Sequence, residues 1–139
     1  MSGHDLPVAE FGFPGPLRDR LVAAICSGEK ITTSGLLEEH RREGTAPGAV
    51  GQRELVVDSA GRGVAVIELV AVDVRRMGDV QLDFAIDEGE GFTSVAEWRQ
   101  AHVAFFTSPE MTAALGDPPV AIDDDTLLVC TRFRVVERL

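Results

Sequence analysis

Apolar residues recur at helical spacing in two long segments of the chain. From Leu17 to Ile25 they return every three or four positions, and Gly28 follows as a typical helix-ending residue, so the pattern predicts a helix over 17–27. A second such pattern opens with a Ser-Val-Ala-Glu capping box and predicts a helix over 94–107. Two shorter helices are predicted, one ending at Gly44 and one over 79–87.

Strand patterns occupy the middle and the end of the chain. Two β-branched runs, 54–58 and 64–72, flank a Ser-Ala-Gly-Arg-Gly turn and predict a hairpin, and 127–136 predicts a long closing strand. The proline- and glycine-rich stretch 7–16 predicts an irregular lead-in. Because helices and strands alternate without a βαβ rhythm, we expect one α+β domain over 1–139 with a mainly antiparallel, barrel-like sheet.

Composition limits the class of protein. The chain has 139 residues, 45% of them hydrophobic and 26% charged, which is typical of a globular domain and excludes disorder or a fibrous repeat. Its apolar runs are too short for a membrane span, and Met1–Asp5 lacks the features of a secretory signal. With these features we expect Cys26 and Cys130 to be reduced thiols and the protein to be cytoplasmic.

The charge is concentrated in one part of the chain. The net charge is −10, and the segment 77–125 carries 11 acidic residues against one basic residue, Arg99. A surface for duplex DNA needs clustered Lys and Arg, so this composition argues against one. A compact site for one or a few nucleotides remains compatible with it, as does a third, weaker option in which the acidic segment contacts another protein.

The single lysine of the chain lies in a loop rich in hydroxyl groups. Of 13 basic residues, 12 are arginine and one is Lys30, which favours a site that needs a compact ammonium at that position. The segment 28–34 places this amine and three hydroxyls just beyond the first helix, where they can hold a phosphate or polarise a carbonyl. The spacing is not that of a P-loop, and an ordinary solvated loop is the alternative.

These residues resemble the ASCH domain, a family of the PUA-like superfamily. Gly28, Lys30 and Thr33 match the family's G-x-K-x-x-[E/T] motif. The segments 87–91 and 94–99 resemble the "EGEG…S-x-E-x-W-R" stretch of bacterial members, and the resemblance covers nearly the whole chain.

The resemblance implies a fold and a set of site residues. The fold is a PUA-like β-barrel, or pseudobarrel, with flanking helices, and the cleft between them suits a nucleoside or a short single strand. Lys30, Thr33 and Glu90 are the implied catalytic residues. In this scheme the substrate-binding residues are Thr32, Ser34, Arg132 and Arg134. No cofactor and no metal are expected, because the His, Cys and Asp residues lack zinc-ligand spacing.

Two classes of function follow from this resemblance. The first is an RNA- or nucleoside-directed hydrolase, which acts either as an acetylated-cytidine amidohydrolase or as a single-stranded ribonuclease. The second is a non-catalytic module that binds RNA or a modified nucleotide. Single-stranded RNA or a small nucleoside or nucleotide is therefore the expected partner, with no membrane involved.

The remaining polar residues have simpler expected roles. Glu88 and Glu90 lie on a glycine-flanked turn, which by itself predicts a solvated pair. His102 follows Trp98 by one helical turn, which favours packing over chemistry, and Asp123–Asp125 predicts an acidic turn. For Lys30→Ala, exposed polar character predicts a thermal midpoint within a few degrees of the natural protein.

Overall fold

The computed structural model describes residues 5–139, and its helices and strands follow the sequence pattern closely. Prolines, glycines and capping residues bound them: Pro16 starts the first long helix, and Ser94 caps the second by accepting the N–H of Glu97. In chain order the elements are β1 (Val8–Ala9), α1 (Pro16–Ser27), β2 (Thr32–Leu36), α2 (Leu37–Glu43), β3 (Arg53–Val57), β4 (Gly63–Arg76), α3 (Leu82–Asp87), α4 (Val95–Phe106), α5 (Pro109–Leu115) and β5 (Leu127–Arg138).

The strands form one mixed sheet in the order β1-β3-β4-β5-β2. The short β1 runs parallel to β3, and the other three pairings are antiparallel. The long β4–β5 ladder contains register shifts between Val66 and Ile67 and between Leu69 and Ala71, and such irregularities increase local twist. The α+β prediction is confirmed. The pairing within residues 5–139 leaves β1 and β2 at the two ends of the order, so closure into a barrel stays a prediction.

Two hydrophobic clusters pack on this sheet. One joins α1 to β3, β4 and β5 through residues such as Ile25, Val56 and Phe133. The other surrounds Trp98 and Phe106 of α4 and includes residues of α5 and β5. This division leaves a space between α1 and α4, and that space is where the site lies.

Three elements differ from the sequence prediction. The segment 28–34 was expected to be a loop throughout, but β2 begins at Thr32 and pairs residue by residue with β5. Its Thr-Thr-Ser-Gly-Leu sequence has no apolar alternation, so only the distant partner strand makes it extended. The strand β1 and the helix α5 were also not predicted.

Other expectations from the sequence concern the chain ends and the thiols. Cys26 and Cys130 are both free, and burial raises the pKa of the Cys130 thiol to about 12. Among the described residues, no helix combines the length and hydropathy needed to cross a membrane. The expectation for Met1–Asp5 falls almost entirely on residues 1–4, which lie outside the described residues.

Candidate functional site

The end of α1 holds Lys30 in a fixed position. Gly28 adopts the left-handed conformation, with φ 87°, and its N–H donates to Ile25 O. The N–H of Lys30 then donates to Ala24 O at 3.0 Å, and the next N–H, that of Ile31, donates to Asp87 O at 2.9 Å. The backbone on both sides of Lys30 is therefore bonded, to α1 on one side and to the end of α3 on the other.

The Lys30 side chain points inward and is 2% exposed. Its Nζ donates to Thr32 O at 2.8 Å and lies 3.3 Å from both the backbone oxygen and Oε1 of Glu88. Glu90 Oε2 is 3.8 Å away. The expectation of an exposed Lys30 is therefore wrong: the ammonium is buried and satisfied by carbonyl and carboxylate oxygens.

Glu88 is the anion at the centre of the site, and it too is 2% exposed. Besides Lys30 at Oε1, its Oε2 accepts from Trp98 Nε1 at 2.6 Å and from Ser34 Oγ at 2.9 Å, and His102 Nε2 lies 3.3 Å away. Burial raises the carboxyl pKa, but the His102 bond and the Lys30 charge outweigh it and bring the pKa of Glu88 to about 2. The expected solvated turn is wrong for Glu88.

His102 is buried beside Glu88, so packing is part of its role. Its ring stacks on Trp98 with centroids 4.2 Å apart, and its Nδ1 lies 2.8 Å from Trp98 O. Burial by itself lowers the pKa of His102, but the hydrogen bond and charge of Glu88 raise it above the ordinary value. The ring therefore combines packing with a contact to the Glu88 carboxylate.

Glu90 has a different environment from Glu88. Its side chain is 25% exposed and faces Lys30 at 3.8 Å. Burial raises the pKa of Glu90, and the Glu88 charge adds to this effect, although Lys30 opposes it. The pKa values of the two carboxyls of this turn are therefore shifted in opposite directions, downward for Glu88 and upward for Glu90.

A cavity of about 500 Å³ opens onto this group of charges. Lys30, Glu88, Glu90 and His102 form its polar end. Apolar and aromatic residues contribute much of the remaining wall: Phe11, Phe13, Leu17, Leu21, Phe105, Phe106 and Met111. The charged residues Glu10, Arg18, Arg20 and Glu39 line it as well. A volume of this size, with a few convergent polar groups, is typical of a small-molecule site.

The predicted hydroxyl residues of β2 divide between the cavity and the interior. Thr33 and Ser34 line the cavity. Among residues 5–139, Thr33 Oγ1 has no hydrogen-bond partner, whereas Ser34 Oγ donates to Glu88. Thr32 is fully buried and its hydroxyl donates to Phe84 O at 2.9 Å, so it braces α3 against β2 and does not reach the cavity.

The two arginines predicted to bind substrate lie outside the cavity. Arg132 donates to Asp87 Oδ2 at 2.8 Å and lies over the Phe84 ring, and Arg134 pairs with Glu68. Neither lines the cavity, so the structure does not bring them together with Lys30, Thr33 and Glu90.

Sequence analysis missed the network around Glu88. The capping box starts α4 at a fixed residue, so Trp98 and His102, four residues apart, face the same way. That spacing was visible in the sequence. The sequence did not show that Trp98 and His102 face a buried carboxylate, because Glu88 reaches them only through the turn at Gly89.

Glu88, Glu90 and His102 also present ligand atoms within 4.8 Å of one another, a separation compatible with a metal ion. The Lys30 ammonium already lies between the two carboxylates, at 3.3 and 3.8 Å. A cation in this place would face both Lys30 and His102, so the residues present fit an internal ion-pair network better than a metal centre.

Comparisons with known proteins agree with this architecture. The family model described as "ASCH domain" matches residues 8–137. Protein EF3133 from Enterococcus faecalis V583 is 28% identical, with a TM-score of 0.83 over 95% of this chain and 77% of that one. An ASCH domain from Lactobacillus crispatus is 29% identical, with a TM-score of 0.80 over 94% and 79%.

A more distant structure shares the fold alone. A mutant ZmASCH protein from Zymomonas mobilis is 12% identical, with a TM-score of 0.50 over 87% of this chain and 69% of that one. No curated protein matches the chain.

Proposed function

Since the chain belongs to the ASCH domain family, we propose that it is a nucleoside-directed hydrolase that removes the acetyl group from acetylated cytidine. ASCH domains are in general RNA-binding domains of the PUA-like class. We propose that the sheet of this chain also closes into the pseudobarrel of that class. The observation that carries the choice of chemistry is the contact of the Lys30 ammonium with Glu90 at the polar end of an aromatic cavity.

The cavity favours a single nucleoside over an RNA strand. Its volume of about 500 Å³ suits one base and sugar. Of the arginines at the cavity or near it, Arg18 already pairs with Glu10, Arg132 with Asp87 and Arg134 with Glu68. Within the described residues this leaves one exposed guanidinium at the cavity, that of Arg20, without an ion pair. One such cation suits a single phosphate, whereas a strand needs several.

The aromatic wall provides a surface for a planar base. Phe13 and Phe105 contact each other with ring centroids 5.9 Å apart, and both line the cavity. Base-aromatic stacking contributes about 1–3 kcal/mol per base. A base held against this wall directs its substituents toward the polar end, where the positive charge of Lys30 acts on an amide carbonyl.

The charged groups then supply the steps of amide hydrolysis. The free hydroxyl of Thr33 attacks the acetyl carbonyl while Glu90 accepts its proton, and the Lys30 ammonium stabilises the negative oxygen that forms. Glu90 returns the proton to the departing cytidine amine as the C–N bond breaks. Water, again activated by Glu90, hydrolyses the acetyl-threonine ester to acetate and restores the hydroxyl. The two carboxylates beside Lys30 suit a role as an electrostatic stabiliser better than a role as a Schiff-base nucleophile.

The test is a substrate panel with purified protein. We expect release of acetate from acetylated cytidine and no cleavage of single-stranded RNA oligomers. Thr33→Ala should abolish turnover, Thr33→Ser should retain part of it, and Thr112→Ala, at an exposed threonine of α5, should leave it unchanged. Cut oligomers would instead support the ribonuclease, and saturable binding without turnover would support the non-catalytic module.

A further inference from the structure

The hydrogen-bond partners of His102 define its protonation state. Nδ1 lies 2.8 Å from the backbone oxygen of Trp98, which only accepts, so Nδ1 carries a hydrogen. Nε2 lies 3.3 Å from Oε2 of Glu88, which also only accepts while it is ionised. Both ring nitrogens therefore face oxygens that only accept, and the ring that fits this geometry is the imidazolium.

His102 and Lys30 are linked through one carboxylate. Oε2 of Glu88 faces His102, and Oε1 faces Lys30 Nζ at 3.3 Å. Trp98 and Ser34 supply the other two donors, so the four contacts leave the carboxylate little freedom to rotate. If the contact at Oε2 is lost and the Glu88 carboxylate rotates, Oε1 moves with it, and the contact between Oε1 and the Lys30 ammonium changes as well.

We propose that His102 is a positioning residue of this site: its Nε2–H holds Glu88 in the orientation that fixes the Lys30 ammonium at the cavity, and loss of that proton releases the ammonium. The proton lost is the one on Nε2, since Nδ1 keeps its bond to Trp98 O. The Nε2 lone pair then faces the Glu88 oxygen, and the repulsion turns the carboxylate away from its place.

The charged groups around His102 set the direction of this effect. Glu88 and Glu90, from the turn after α3, both favour the imidazolium, and burial opposes it. Lys30, from the end of α1, is the nearest like charge along this network, beyond Glu88. The rings of Trp98, Phe92 and Phe106 pack around the imidazole and carry no charge. Since the pKa of His102 is raised above its ordinary value, the site is intact below that raised value and loosens as the pH rises through it.

The single lysine makes a direct test possible. In ¹⁵N-labelled protein, Lys30 gives the only side-chain ammonium signal of the chain, and a variant carrying His4→Gln and His40→Gln leaves His102 as the only histidine. In an NMR titration from pH 5.5 to 9.5, we expect both His102 nitrogens to be protonated at pH 6.5. The Lys30 ammonium signal should shift with the same midpoint as His102.

Two matched variants separate positioning from packing. His102→Gln offers an amide donor at every pH, so its Lys30 signal should lack the step that occurs at the His102 midpoint in the natural protein. His102→Leu offers no donor, so its Lys30 signal should resemble that of the natural protein at high pH already at pH 6.5. A singly protonated His102 at pH 6.5, or a Lys30 signal that ignores the His102 titration, would overturn the proposal.

The consequence for turnover rests on the proposed hydrolase. With acetylated cytidine, the rate should fall on the alkaline side with the NMR midpoint, and His102→Gln should remove that fall. If no turnover occurs at any pH, the proposed function fails, while the NMR titration still decides the role of His102.

Discussion

Lys30 and Glu88 form an ion pair that is closed to solvent, with Nζ 3.3 Å from Oε1 and each side chain 2% exposed. Neither residue is near the other in sequence, and the turn at Gly89 brings them together. A pair of this kind acts as a rigid support for the more exposed residues around it, Glu90 and Thr33. The proposed chemistry depends on that rigidity because a misplaced ammonium stabilises no oxyanion.

Removing the ammonium should therefore destabilise the protein as well as inactivate it. Lys30→Met leaves Glu88 as a buried carboxylate without its cation, and breaking such a pair costs about 3–5 kcal/mol. Lys30→Arg keeps the charge, but its planar guanidinium is wider than the ammonium and does not fit among Thr32 O and the two Glu88 oxygens. We expect inactivity in both variants, measured with acetylated cytidine, and the larger loss in urea unfolding for Lys30→Met. Full activity of Lys30→Arg would contradict the need for a compact donor.

The turn between the two glutamates offers a matched pair of glycines. Gly89 and Gly91 both have positive φ, 71° and 87°. A Cβ at Gly89 would lie 2.7 Å from backbone atoms of Glu29 and Lys30, whereas a Cβ at Gly91 meets nothing within 4 Å. Gly91→Ala should thus cost about 1–2 kcal/mol from its backbone conformation alone. Gly89→Ala should cost clearly more and reduce turnover, because the Lys30 backbone must move. Equal unfolding free energies for the two variants would argue against the close approach.

Acid should weaken the fold through Glu88. Its pKa is lowered from 4.5 to about 2, so between these values the unfolded chain binds the proton that the folded protein does not. The stabilising contribution is present above pH 4.5 and is lost as the pH falls toward 2. Urea unfolding at a series of pH values should show this decline, and Glu88→Gln should flatten it at a lower overall stability. An unchanged slope in that variant would assign the acid sensitivity to other carboxylates.

Glu90 should control the acid side of the activity profile. Burial raises the pKa of Glu90 above 4.5, and the proposed base needs the ionised form. Turnover should therefore fall as the pH drops through that raised value. Glu90→Gln should be inactive at every pH with its thermal midpoint nearly unchanged, since the side chain is partly exposed. Glu29→Gln, at an exposed glutamate one residue before Lys30, is the control and should keep the natural profile. An acid limb that persists in an active Glu90→Gln would exclude this role.

The sequence by itself determined the main elements and the identity of the key amine. The spacing of apolar residues specified α1, and the capping box specified where α4 begins, because these signals act within a few residues of one another. The single lysine among 12 arginines indicated Lys30 directly. The resemblance of its motif to ASCH proteins implied Thr33 and Glu90, and the structure places both at the same cavity as Lys30.

Tertiary structure alone decided which charged groups are buried and which residues they contact. In the sequence, Glu88 and Glu90 look alike. In the fold, the Glu88 side chain is 2% exposed and the Glu90 side chain is 25% exposed, because Gly89 packs against the backbone of Glu29 and Lys30. Thr32 and Thr33 also look alike, and only pairing with β5 turns the first toward Phe84 and leaves the second free. Burial and long-range contacts depend on segments that are distant in the chain, so the pattern of neighbouring residues in the sequence does not predict them.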